Sequence, residues 1–77
     1  MKADRTLDCV GLYCPMPIVK TSQEMKSMQA GEVLEVIADD KGIKSDMPAW
    51  AAKTGNEFLG MEENGEEIRV YVRKSAG

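Results

Sequence analysis

The run Leu12-Tyr13-Cys14-Pro15-Met16-Pro17 places a cysteine just ahead of a helix that two prolines help to start. A helix start presents unpaired N–H groups and the positive end of the peptide dipole. A thiol held there gives up its proton more readily, and the thiolate is the reactive form. Proline has no N–H, so the amides of Met16 and Ile18 are the expected donors near the sulfur. Pro15 and Pro17 then fix the backbone and keep Cys14 at the surface. On the residues alone a plainer reading stands beside this one: the prolines only start the helix, and Cys14 is a small buried apolar residue.

Two other constellations could do chemistry. Cys9, five residues earlier, sits in a strand-like stretch where a cysteine usually packs as a small hydrophobe. The sharper alternative is a resolving cysteine that closes a disulfide with Cys14, which needs the two Cα atoms within about 7 Å. Asp39-Asp40 could be paired carboxylates for acid–base work, but they more simply end a strand and shape the turn into Lys41-Gly42. Acid–base catalysis needs a cleft and a substrate, and the sequence points to neither.

Composition removes several function classes. There is no histidine among the 77 residues, so a Ser-His or Cys-His pair cannot form within one chain. Two cysteines without histidine cannot make a four-ligand Cys/His zinc site, and no residue pattern calls for a metal or a cofactor. A net charge of −3 argues against a nucleic-acid binder, which needs a basic face to displace counterions. Residues 1–6 are polar and no long apolar run follows, so neither a signal peptide nor a membrane helix is expected. The default is a reduced, cytoplasmic protein.

The elements that must position Cys14 are short. The whole of residues 1–77 reads as a single domain, and a chain of this size buries only roughly 60% of its unfolded surface. Aromatic residues are limited to Tyr13, Trp50, Phe58 and Tyr71, so the core must be mostly aliphatic, with methionines filling gaps. Residues 6–10 read as a strand ending at Gly11, and residues 15–28 as a helix with Cys14 at its cap and Gly31 as its stop. Ile18, Met25 and Met28, with Thr21 or Ser22 between them, form its inward stripe. Residues 32–38 are the clearest strand. A second helix runs from Ser45 or Asp46 to Lys53, with Asp46 as cap, Pro48 in the first turn and Gly55 as stop. Met47, Trp50 and Ala51 share its inner face. Residues 57–62 and 67–73 form a hairpin turning at Asn64-Gly65. In its second strand Ile68, Val70 and Val72 face the core, while Arg69, Tyr71 and Arg73 lie on a wetter face. The order βαβαββ predicts an α/β (α+β) two-layer sandwich, with both helices on one face of a four-stranded mixed sheet. Lys20, Lys41 and Lys44 could steer an acidic partner toward the motif, or be solvated surface charges.

The motif and the element order together resemble the TusA/SirA family of small sulfur carriers. The residues that carry the resemblance are Leu7-Asp8, Gly11-Leu12, Cys14-Pro15-Met16-Pro17, Gly31-Glu32, Asp39-Asp40, Asp46-Met47-Pro48, Gly55 and Arg73-Lys74. The resemblance implies a fold like the C-terminal domain of translation initiation factor 3. It also implies that Cys14 accepts sulfane sulfur as a persulfide from a cysteine desulfurase or a rhodanese-like donor. The sulfur would then pass to an acceptor protein, as in tRNA thiolation, molybdenum-cofactor metabolism or sulfur oxidation. Such a protein is a sulfurtransferase-type covalent carrier without independent turnover. Pro15 and Pro17 support the motif, and Tyr13, Met16 and Lys20 are candidate partner contacts. Two rival functions are a thiol redox switch using Cys9 and Cys14, and a non-catalytic regulatory or RNA-associated module suggested by fold analogy alone.

Overall fold

Alternating β-branched residues at the end of the chain build the centre of the molecule. In the computed structural model, which describes residues 2–13 and 15–75, Ile68, Val70 and Val72 are buried along strand β4, Glu67–Arg73. β4 lies between β2, Val33–Ala38, and β3, Glu57–Asn64; β1, Arg5–Asp8, completes the sheet in the order β1-β2-β4-β3. β1 is parallel to β2, and the other two pairings are antiparallel. The register sets Leu34 against Val72, Val36 against Val70 and Ala38 against Ile68, so one face of the sheet is continuously apolar.

Two helices cover that face. Helix α1, Met16–Lys26, buries Pro17, Thr21 and Met25; helix α2, Ile43–Thr54, buries Ile43, Met47 and Ala51. These side chains join Cys9, Met28 and the inward strand residues in a single core, with Leu7, Leu12, Ile18, Trp50, Phe58 and Met61 packed around it. The βαβαββ order and the two-layer arrangement are those expected from the sequence.

The differences lie at the element ends. α1 begins at Met16 with Pro15 as its cap, so the cap is one residue later than expected. It ends at Lys26, and Gly31 does not stop it. The last turn tightens instead, with the Ser27 and Met28 N–H groups bonded to Glu24 and Met25 carbonyls. Gly31, at φ +90°, turns the chain into β2 and donates to the Lys74 carbonyl.

α2 starts three residues before Asp46. Asp40 accepts the Gly42 N–H through Oδ1, and the Ile43 and Lys44 amides reach back to the Asp40 and Lys41 carbonyls. The turn is thus already wound before Asp46 is reached, and Pro48 lies inside the helix instead of in its first turn. The hairpin turn shifts by one as well. Asn64 pairs with Glu67, leaving Gly65-Glu66 as the central residues. Gly65 has φ +67° and no other residue type among the described residues has positive φ, which fits a II′ turn with glycine first.

Tyr71 is the largest departure. It lies on the face away from the helices yet is only 3% exposed. Its register partners are Glu35 and Gly60, and its hydroxyl donates to Glu35 Oε2 at 2.8 Å. That bond, with burial, pushes its ionisation up to about 12. Burial tends to raise the Glu35 carboxyl, but hydrogen bonds from Tyr71, Thr6 and Arg69 outweigh it and hold the group below its ordinary value.

Candidate functional site

β1 and β2 run side by side, so the β1–α1 and β2–α2 loops leave the same end of the sheet, where the β3–β4 hairpin also turns. The β1–α1 loop carries the motif. Cys14 itself lies outside the described residues; the sequence puts it between Tyr13 and Pro15.

The approach to Cys14 is pinned bond by bond. The Cys9 amide donates to the Ile37 carbonyl at 2.7 Å, which extends the parallel ladder past β1. Val10 N–H donates to Asp8 Oδ1 and Gly11 N–H to Asp39 Oδ1, both at 3.0 Å. Leu12 N–H closes on the Cys9 carbonyl at 3.1 Å, and its side chain packs against the core. Gly11 has φ +86° with nothing within 4 Å of a would-be Cβ. Glycine is therefore demanded by the backbone angle and not by crowding.

The helix start beyond Cys14 is chemically bare. Pro15, at φ −96° and ψ 13°, caps α1 with no side-chain hydrogen bond, and the first turn holds no acidic residue. The Met16 amide, one of the two expected donors, is already bonded to the Tyr13 carbonyl at 2.7 Å. The two prolines divide the work: Pro15 is exposed and Pro17 is buried under the helix. Around this start the apolar side chains of Val10, Tyr13, Met16 and Val19 reach solvent, with Tyr13 at 76% and Val10 at 51% exposure. Lys20 is exposed on the next position of the helix.

The other sequence candidates separate. Cys9 is a free cysteine with no exposed surface, and burial, helped by Asp8 and opposed by Lys20, pushes its thiol above the ordinary value. A thiol that is covered and keeps its proton is a poor exchange partner. Asp39 and Asp40 do not act as a pair: Asp40 serves its own turn at Gly42, whereas Asp39 crosses to Gly11. Lys44 is engaged by Glu63 at 2.8 Å, so among the three lysines it is not a free steering charge. Val10 and Val19 are exposed apolar residues near the motif in sequence that the sequence reading did not select. Hydrophobicity alone had assigned them no place, since one extends a strand pattern and the other continues a helix. Among the described residues no cluster of three or more His, Cys, Asp or Glu could hold a metal ion, and no helix is long and apolar enough to cross a membrane.

Comparison with known proteins places these features in a wider set. Residues 5–74 match the family model described as sulfurtransferase TusA. YrkF of Bacillus subtilis is 57% identical over 74 residues, which span 96% of this chain but only 40% of YrkF. The chain thus covers well under half the length of that relative. The sulfur carrier protein TusA of Allochromatium vinosum is 40% identical over 72 residues, covering 94% of this chain and 95% of the relative. The crystal structure of a SirA-like protein from Desulfitobacterium hafniense superposes with a TM-score of 0.79 at 22% identity, over 92% of this chain and 97% of the other. That likeness shows the shared fold.

Proposed function

The chain belongs to the TusA family, and on that premise we propose that it is a sulfur carrier in which Cys14 cycles between thiolate and persulfide. The Cys14 thiolate attacks the terminal sulfur of a donor persulfide. A new S–S bond forms at Cys14, the donor's S–S bond breaks, and the donor leaves as its own thiolate. An acceptor thiolate then attacks the terminal sulfur on Cys14, and the Cys14 thiolate is released. No oxidant, metal or histidine is required, because each step exchanges one S–S bond for another.

The observation that carries this reading is the bare start of α1. It follows Cys14 after Pro15 alone, has no acidic residue in its first turn and no side-chain cap, and lies in a stretch of chain where Val10, Tyr13, Met16 and Val19 are exposed. The positive end of a helix dipole left uncompensated favours a thiolate. Exposed apolar side chains on either side of the cysteine suit transient docking of a protein. Tyr13, Met16 and Lys20 act as partner contacts, and Pro15 and Pro17 hold the helix direction. The donor is a cysteine desulfurase or rhodanese-like protein, and the acceptor is a second protein. A reducing cytoplasm is the compartment that keeps Cys14 available as a thiol.

The test is direct. Incubated with a cysteine desulfurase and cysteine, the wild type gains one sulfur by intact mass. Cys9→Ser keeps that adduct and Cys14→Ser loses it. A wild type that stays unmodified with both a desulfurase and a rhodanese donor overturns the proposal. An adduct lost in Cys9→Ser moves the reading to a two-cysteine exchange.

A further inference from the structure

The Gly11–Asp39 hydrogen bond joins two loops 28 residues apart in sequence. In the loop ahead of Cys14, the Val10 and Leu12 amides are satisfied within the loop itself, by Asp8 and Cys9. The Cys9 amide is held by the sheet. Gly11 alone among residues 10–12 is tied to the β2–α2 junction, and Gly11 is also the residue with the left-handed backbone. Asp39 is exposed and sits just past the end of β2, so its carboxylate contributes no core packing. The bond fixes the one residue whose φ, ψ freedom is widest, three positions before the reactive cysteine.

We propose that Asp39 is a positioning residue for sulfur transfer. Its Oδ1 holds the Gly11 turn, and the turn aims the Cys14 segment at the docked partner's sulfur. The proposal rests on the sulfur-carrier reading. In an exchange between two proteins the reacting sulfurs must meet in line, and an ångström of misplacement costs rate more than binding. What the turn requires is an acceptor oxygen at this place, which an amide side chain also supplies.

The test compares Asp39→Ala with Asp39→Asn, below the unfolding transition, in sulfur transfer from a cysteine desulfurase at limiting and saturating concentration. Asp39→Ala lowers the saturated rate about tenfold with KM within about twofold. Asp39→Asn, whose amide oxygen can accept the same bond, stays within about twofold of wild type in both. In amide hydrogen exchange, Gly11 loses protection in Asp39→Ala and keeps it in Asp39→Asn. A merely structural role leaves the rate per folded molecule unchanged. An unchanged saturated rate in Asp39→Ala overturns the proposal. So does an Asn variant as slow as Ala, which would assign the effect to charge, or a change confined to KM, which would make Asp39 a docking residue. If wild type takes up no sulfur at all, the carrier reading fails instead, while the Gly11 exchange result still stands.

Discussion

The two ends of helix α1 are built on opposite plans. At its C-terminal end the carbonyls meet cations. Lys74 Nζ donates to the Met25 and Met28 carbonyls at 2.6 and 2.7 Å, Arg5 donates to the Ser27 carbonyl at 3.0 Å, and Lys26 lies in the last turn. Each of these complements the negative end of the dipole. At the N-terminal end, among the described residues, there is no side-chain cap and no acid in the first turn, and apolar side chains stand in solvent. The same helix is therefore anchored at one end and chemically available at the other. The anchoring contacts and the exposed apolar side chains lie on different turns, so the last turn can be loosened with little effect on the first.

That separation can be broken experimentally, and the largest effect is expected at the anchored end. Lys74→Met removes two charge-assisted bonds, and while the Met25 carbonyl keeps the Met28 N–H, the Met28 carbonyl loses its Lys74 donor, at a cost of about 2 kcal/mol in denaturant unfolding. Sulfur uptake per folded molecule is unchanged, and a matching loss of uptake would show that the ends are coupled. Cys9 reports on the same opening from inside: with its thiol in the core, it is alkylated only when the fold opens, and faster in Lys74→Met.

At the available end, Tyr13→Ala should raise the donor KM about fivefold to tenfold, or about 1 kcal/mol, without moving the unfolding midpoint. A drop in stability instead would mean that Tyr13 belongs to the fold. The smallest effect sharpens the contrast most. Val19→Glu puts an acid in the bare first turn, which should stabilise the helix by about 0.3–1 kcal/mol. It should also raise the pH at which Cys14 reacts with a small alkylating reagent. More stability with less reactivity from one charge is the signature of a helix start kept bare for the thiolate.

The sequence disclosed what depends on local pattern. The alternation of Ile68, Val70 and Val72 named that strand's buried face, and the aliphatic residues 33–38 named a second strand. The clustering of Cys14 with two prolines marked the candidate site. What stayed hidden depends on which strands become neighbours. Tyr71 read as a wet-face residue until β4 was flanked by Glu35 on one side and Gly60 on the other. Asp39 and Asp40 looked like one pair because adjacency in sequence says nothing of which loop each carboxylate reaches. Lys74 read only as part of the resemblance, since its helix partners lie 46 and 49 residues away. The bounds of α2 were missed for a different reason: a turn held by Asp40 wound the chain early, and Asp46 as a good cap residue was overruled by it.

The position of β4 in the sheet has a consequence for synthesis. It is the last element of the domain and also the strand that joins β2 to β3. During translation every other element is made before the one that unites them, so the sheet cannot close until the segment through Lys74 is available. A nascent chain lacking that segment carries the motif, but not the two-layer body that shields Cys9 and orders the loop. Proteolytic loss of residues 67–75 would likewise leave β3 without a partner strand and β2 paired with β1 alone. Quality control of this domain thus hinges on β4, and a product truncated before it should be cleared instead of persisting with its cysteines exposed.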